Sequence, residues 1–61
     1  MKRRDLIRHL EVHGYRLARE GRSHSIYENT QTGQRAPVPR HREIPEPLVR
    51  SICRQLDVPT P

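Results

Sequence analysis

The apolar residues of this chain never run more than two in a row, and they gather into short clusters set apart by glycine, proline and turn-forming polar residues. That patterning decides most of what can fold here. The first and last clusters carry helical spacing, and the stretches between them read as strands. A membrane span needs about 20 apolar residues, and a signal peptide needs an unbroken apolar core. Neither is present as a run, so the expectation is a soluble, cytoplasmic chain. At 61 residues there is room for one small domain, residues 1–61, and two-domain enzymes are excluded. A chain of this size buries only about 60% of the surface its unfolded form exposes, so a thin core is expected. Cys53 is the sole cysteine, which removes an intrachain disulfide, a Cys-rich zinc site and a redox pair.

Leu6, Ile7 and Leu10 fall on one stripe of a helix, while Arg4, Arg8 and Glu11 point elsewhere. Val12 completes the cluster and Gly14 suits the left-handed position just past the helix end. Asp5 in the first turn and His13 near the last complement the helix dipole. Tyr15–Arg19 alternates as a half-buried strand would, and Glu20-Gly21-Arg22 reads as a turn. His24–Glu28 is the second strand, Asn29–Gln34 the second turn, and Arg35–Pro39 the third strand. Pro37 and Pro39 lack ladder donors, which makes that strand short or places it on an edge. From Pro45 onward Leu48, Val49, Ile52, Cys53 and Leu56 recur at helical spacing, with Arg50 and Arg54 on the opposite side. The expected class is α+β: α-β-β-β-α, a three-stranded antiparallel sheet with both helices on one face.

Twelve Lys and Arg residues against seven Asp and Glu give a net charge of +5. A field of that sign attracts polyanions, chiefly nucleic acid, less often an acidic protein or an anionic membrane, though it also serves plain solubility. Only Lys2 among the twelve is lysine. The planar arginine fork grips phosphate in bidentate fashion, which tilts the balance toward nucleic acid. The only aromatics are Tyr15 and Tyr27, too few for the stacking platform of a single-strand binder.

Four histidines carry the possible proton chemistry. His9 and His13 are spaced i, i+4, a geometry able to hold a metal, but no third ligand is placed to complete a site, and solvent-facing or capping roles fit better. No metal or cofactor is therefore expected. His24 follows Gly21-Arg22-Ser23 where a turn enters a strand. RNA can be cut without metal when a base takes the ribose 2′-OH proton and cationic donors stabilise charge on the phosphate. His24 would be that base, Arg19 and Arg22 would hold the phosphate, and Ser23 would donate a hydrogen bond to it. From the spacing alone, a histidine on a strand with no function is the favoured reading. Arg40-His41-Arg42, held between prolines, reads either as a phosphate contact or as a solvated basic loop. Strict alternation puts His24 and Ile26 on the same face, so if Ile26 points to the core, His24 must escape by lying at the strand's very start.

Met1-Lys2-x-x-x-Leu6-Ile7-x-x-Leu10-Glu11-x-x-Gly14-Tyr15, then Arg19 to Ser23-His24-x-Ile26-Tyr27, Val38-Pro39-x-His41 and Leu48-x-x-x-Ile52-x-x-Gln55-Leu56, resembles the HicA (YcfA-like) toxins over nearly the whole chain. No single element is specific; their order and spacing at this length are. The resemblance implies a fold like the double-stranded-RNA-binding domain and an mRNA interferase in a type II toxin–antitoxin pair. It implies a catalytic histidine in a Gly-Ser-His motif, carried here by His24 with Ser23 beside it, and a HicB-like antitoxin that masks it. One departure stands out: Arg22 occupies the place of the motif's glycine, with Gly21 one position earlier. Arg22 either reshapes the turn, adds a phosphate contact or marks a weakened member. The competing function is a non-catalytic RNA-binding module reading A-form shape, with Arg50 and Arg54 as its basic face.

Overall fold

The computed structural model covers residues 1–61 and places α1 at Arg3–Val12, β1 at Arg16–Glu20, β2 at His24–Glu28, β3 at Arg35–Pro39 and α2 at Glu46–Gln55. The α-β-β-β-α order and the α+β class are those the periodicity gives. The sheet runs β1-β2-β3, antiparallel throughout.

In α1, Leu6 and Leu10 are completely buried, and Val12 is 77% exposed and takes no part in the core. Gly14 takes a φ of +90°; its amide donates to Glu11 and that of Tyr15 to Leu10, the paired bonds of a Schellman stop. His13 adds its own cap, Nδ1 donating to the His9 carbonyl at 2.9 Å. α2 buries Val49, Ile52 and Cys53 and ends in the same motif, with Asp57 donating to Arg54 and Val58 to Cys53. Here the left-handed position holds Asp57, at a φ of 57°. Its side chain costs conformational energy there, and its negative charge faces the negative end of a helix dipole. Asp57→Gly should therefore raise stability by about 1 kcal/mol, seen as a melting temperature higher by about 4–8 °C. Asp57→Asn, which removes only the charge, should recover part of that.

The core joins Leu6, Leu10, Tyr15, Tyr27, Ala36, Val38, Ile44, Val49, Ile52, Cys53 and Leu56 in one cluster. From the sheet it draws on Tyr27, Ala36 and Val38, with Ser25 buried beside them, so both helices lie on one face. The Tyr15 hydroxyl ties the two helix ends together by donating to the Leu56 carbonyl. Burial, and then the Asp57 carboxylate, push the Tyr15 phenol above its ordinary range.

β1 departs from expectation. It starts one residue later than the alternation suggests, all five residues are exposed, and a bulge at Ala18 interrupts its pairing between Leu17 and Arg19. Two ten-residue helices cover β2 and β3 but do not reach β1, so Leu17 stays 47% exposed. β3 is an edge strand, as its prolines require. The Arg35 and Pro39 carbonyls accept from Gln55 and Arg3 side chains, so this parity faces outward and Pro37 and Pro39 forfeit no ladder bond. A contact with no sequence signal ties down the amino terminus. Arg3 N–H donates to Arg42 at 2.9 Å and Ile44 N–H to Met1 at 2.7 Å, making a short bridge centred on Lys2 and Glu43. No helix is long and apolar enough to cross a membrane.

Candidate active site

The strand parity is settled by Ser25 and Tyr27, which point into the core, so His24, Ile26 and Glu28 share the face that no helix covers. Ile26 is half-buried there and His24 is exposed at the strand's first position. Arg19 pairs directly with Ile26 across the β1–β2 ladder, so its side chain rises on the same open face as His24. Ala18, Arg19, Ile26, Glu28 and Arg35 line a shallow depression of about 360 Å³, within which Arg35 pairs with Glu28 at 3.5 Å. Imidazole and arginine therefore rise from the same solvent-facing side of the sheet.

The turn that presents His24 is tightly fastened. The Gly21 amide donates to the His24 carbonyl at 2.7 Å, and a Cβ on Gly21 would lie 3.0 Å from that oxygen, which explains the glycine at this position. Arg22 has a negative φ, a conformation open to any residue, so the arginine in place of the motif's glycine imposes no backbone strain. From just past the end of β3, Arg40 reaches across the turn. Its Nη1 donates to the Arg22 carbonyl at 2.8 Å, its Nη2 to the Gly21 carbonyl, and its Nε to Glu20 Oε1 at 3.2 Å. The same Glu20 oxygen accepts from the buried Ser25 hydroxyl at 2.7 Å. Arg3 donates to Ser25 Oγ at 2.9 Å and to the Pro39 carbonyl at 2.8 Å. The Ser25 hydroxyl, and after it the guanidiniums of Arg40 and Arg3, hold the Glu20 carboxyl below its usual range against an opposing push from desolvation. A depressed carboxyl pKa stabilises the fold above the unfolded group's titration and loses that effect in acid. The clamp is thus complete at neutral pH.

Of the residues singled out from the sequence, His24 and Arg19 share the uncovered sheet face, Arg19 lining the depression and His24 lining neither cavity, and Arg22 and Ser23 sit exposed in the adjoining turn. Arg40 is committed to the clamp. His41 is exposed in the loop and lines neither cavity. Arg42 belongs to a second, larger hollow of about 520 Å³ lined by Lys2, Arg3, Arg4, Arg40 and Arg42. Lys2, Arg3 and Arg4, like Glu20 and Ser25 in the clamp, were not anticipated. The one readable signal was electrostatic: three successive cations at a helix start oppose the dipole, an arrangement a structural role does not call for.

Arg40→Ala should leave His24 present but poorly held. We expect a stability loss of about 1 kcal/mol, the partly solvated guanidinium being worth less than a buried one. Amide exchange at Gly21 should quicken well beyond that at β3. Arg40→Lys should not restore it, since a point charge cannot serve two carbonyls and a carboxylate at once.

Among known families, the one described as the HicA toxin of bacterial toxin–antitoxin systems matches residues 3–58. No curated protein and no solved structure matches the chain. With that match spanning nearly the whole sequence, from the first turn of α1 to just past the end of α2, the chain belongs to the HicA toxins.

Proposed function

We propose that this chain is the RNA-cleaving toxin of a type II toxin–antitoxin pair: an mRNA interferase formed by a single domain, acting in the cytoplasm, with His24 as general acid/base and no metal or cofactor. The observation that carries the reading is the exposed imidazole of His24 on the uncovered sheet face, the face Arg19 also occupies, with its backbone pinned through Gly21 and Arg40.

RNA supplies its own nucleophile. His24 takes the proton from a ribose 2′-OH, the freed oxygen attacks the neighbouring phosphorus, and the bond to the 5′ oxygen breaks, leaving a 2′,3′-cyclic phosphate. The departing 5′ oxygen takes up a proton on this water-facing surface. Arg19, assisted by Arg22 and Ser23 from the turn, counters the charge that builds on the phosphoryl oxygens. A HicB-like antitoxin would silence the toxin by covering the same open face.

The test is incubation of purified chain with mRNA in EDTA, followed by identification of the product ends. Cyclic or 3′-phosphate ends support the mechanism. Salt-sensitive binding without product would instead make the chain a binding module.

A further inference from the structure

We propose that the five-cation hollow at the start of α1 is a phosphate subsite that grips the RNA backbone at a distance from the bond His24 would cleave; this rests on RNA being the substrate. Lys2, Arg3, Arg4, Arg40 and Arg42 line it, and no carboxylate does. Two of the five charges are already answered, Lys2 by Glu43 at 3.4 Å and Arg40 by Glu20 at 3.1 Å. Arg3 hydrogen-bonds only to neutral oxygens, those of Pro39 and Ser25, and makes no direct ion pair, although its charge acts on Glu20 through space. Arg4 and Arg42 make no side-chain hydrogen bond or ion pair, so both guanidinium forks are free. Glu46 turns toward the amino terminus at 3.5 Å, and Glu43 is shared between that group at 3.9 Å and Lys2, so neither answers Arg4 or Arg42.

Two further observations point to an anion. α1 begins without a side-chain cap, and the Arg4 amide has no acceptor within the protein, so an unused helix donor sits among the cations. The hollow also joins the proposed catalytic face through one residue. Pro39 is the ladder partner of His24, and Arg40, next in sequence, lines the hollow while clamping the His24 turn. A strand lying across the open face and rounding the end of β3 would meet the hollow next. At about 520 Å³ it is large for a single carboxylate and suits the repeated charges of a phosphodiester chain.

The test uses full-length His24→Ala protein, so that cleavage cannot distort binding, and a short single-stranded RNA titrated across a range of salt. Arg4→Ala with Arg42→Ala should weaken binding at least tenfold at low salt. It should also flatten the salt dependence by about 1.4 in slope, the value for two single-strand phosphate contacts. Arg50→Ala with Arg54→Ala, an equal loss of charge on the exposed side of α2, should cost clearly less. Equal losses in the two pairs, or no loss in the first, overturn the subsite. Pyrophosphate should shift the side-chain Nε resonances of Arg4 and Arg42. If it does so while the RNA slope stays unchanged, the hollow serves a free phosphate compound and the RNA assignment is wrong. Cleavage by the parent protein is read separately: inactive parent with a flattened slope sinks the catalytic reading alone, and active parent with an unmoved slope sinks the subsite alone.

Discussion

His24→Ala protein should fold and melt as the parent does and cleave RNA about 10²- to 10⁴-fold more slowly, the range expected when a general acid/base is removed. The two halves of that result follow from different features. The imidazole is exposed and takes part in no hydrogen bond, so its loss opens no cavity and strands no partner; exposed substitutions of this kind usually change stability by under about 0.5 kcal/mol. The backbone around it holds by itself, since Gly21, Arg40 and the ladder pairing with Pro39 act on main-chain atoms that alanine keeps. Cleavage, by contrast, has no other imidazole on this face: His9 donates to the Pro59 carbonyl, His13 caps α1, and His41 lies in the loop before α2. A melting curve and a cleavage time course on the same preparation check both halves, and parent-level cleavage by the variant would remove His24 from the mechanism.

The elements were legible because each carries a local signal: the Leu6–Leu10 stripe with Gly14 as its stop, the tyrosine and isoleucine of β2, the prolines of β3, the Val49–Ile52–Cys53 stripe. β1 is exposed where alternation predicts a half-buried strand, because alternation reports what a strand could bury, whereas burial depends on whether a helix reaches it. His24 was legible as a candidate through its neighbours, yet its face was not, because Ile26 suggested the core and only the packing of Ser25 and Tyr27 decides the parity. The buried Ser25 is polar for a reason no window of sequence contains. Its hydroxyl lies between Arg3 and Glu20, 22 residues upstream and five residues back, and completes a clamp that forms only once the chain has folded. Arg40 illustrates the same limit from the other side. In sequence it is one more cation in a basic loop, and in the fold its donors are spent on the turn that carries His24.

Leu10→Ala should unfold the protein at 37 °C. Truncating a buried leucine costs about 2–5 kcal/mol, and a core in a chain this short rarely supplies more than about 3–5 kcal/mol in all. Leu10 is a severe place to cut, for it is completely buried and its carbonyl accepts the Tyr15 amide that closes α1. Tyr15 in turn holds the end of α2 through Leu56, so slack at Leu10 reaches both helices. Circular dichroism should show the cooperative melt shifted below physiological temperature, while Val12→Ala, two residues on and 77% exposed, should stay within about 0.5 kcal/mol of the parent. RNA cleavage should fall with the folded fraction, although His24 is untouched. A ligand that binds only the folded form stabilises it by RT ln(1 + [L]/Kd), so saturating single-stranded RNA should raise the melt of Leu10→Ala made in the uncleaving His24→Ala background, and less so once Arg4 and Arg42 are also removed. In a domain with so little stability to spare, binding of the polyanion and maintenance of the fold become one equilibrium.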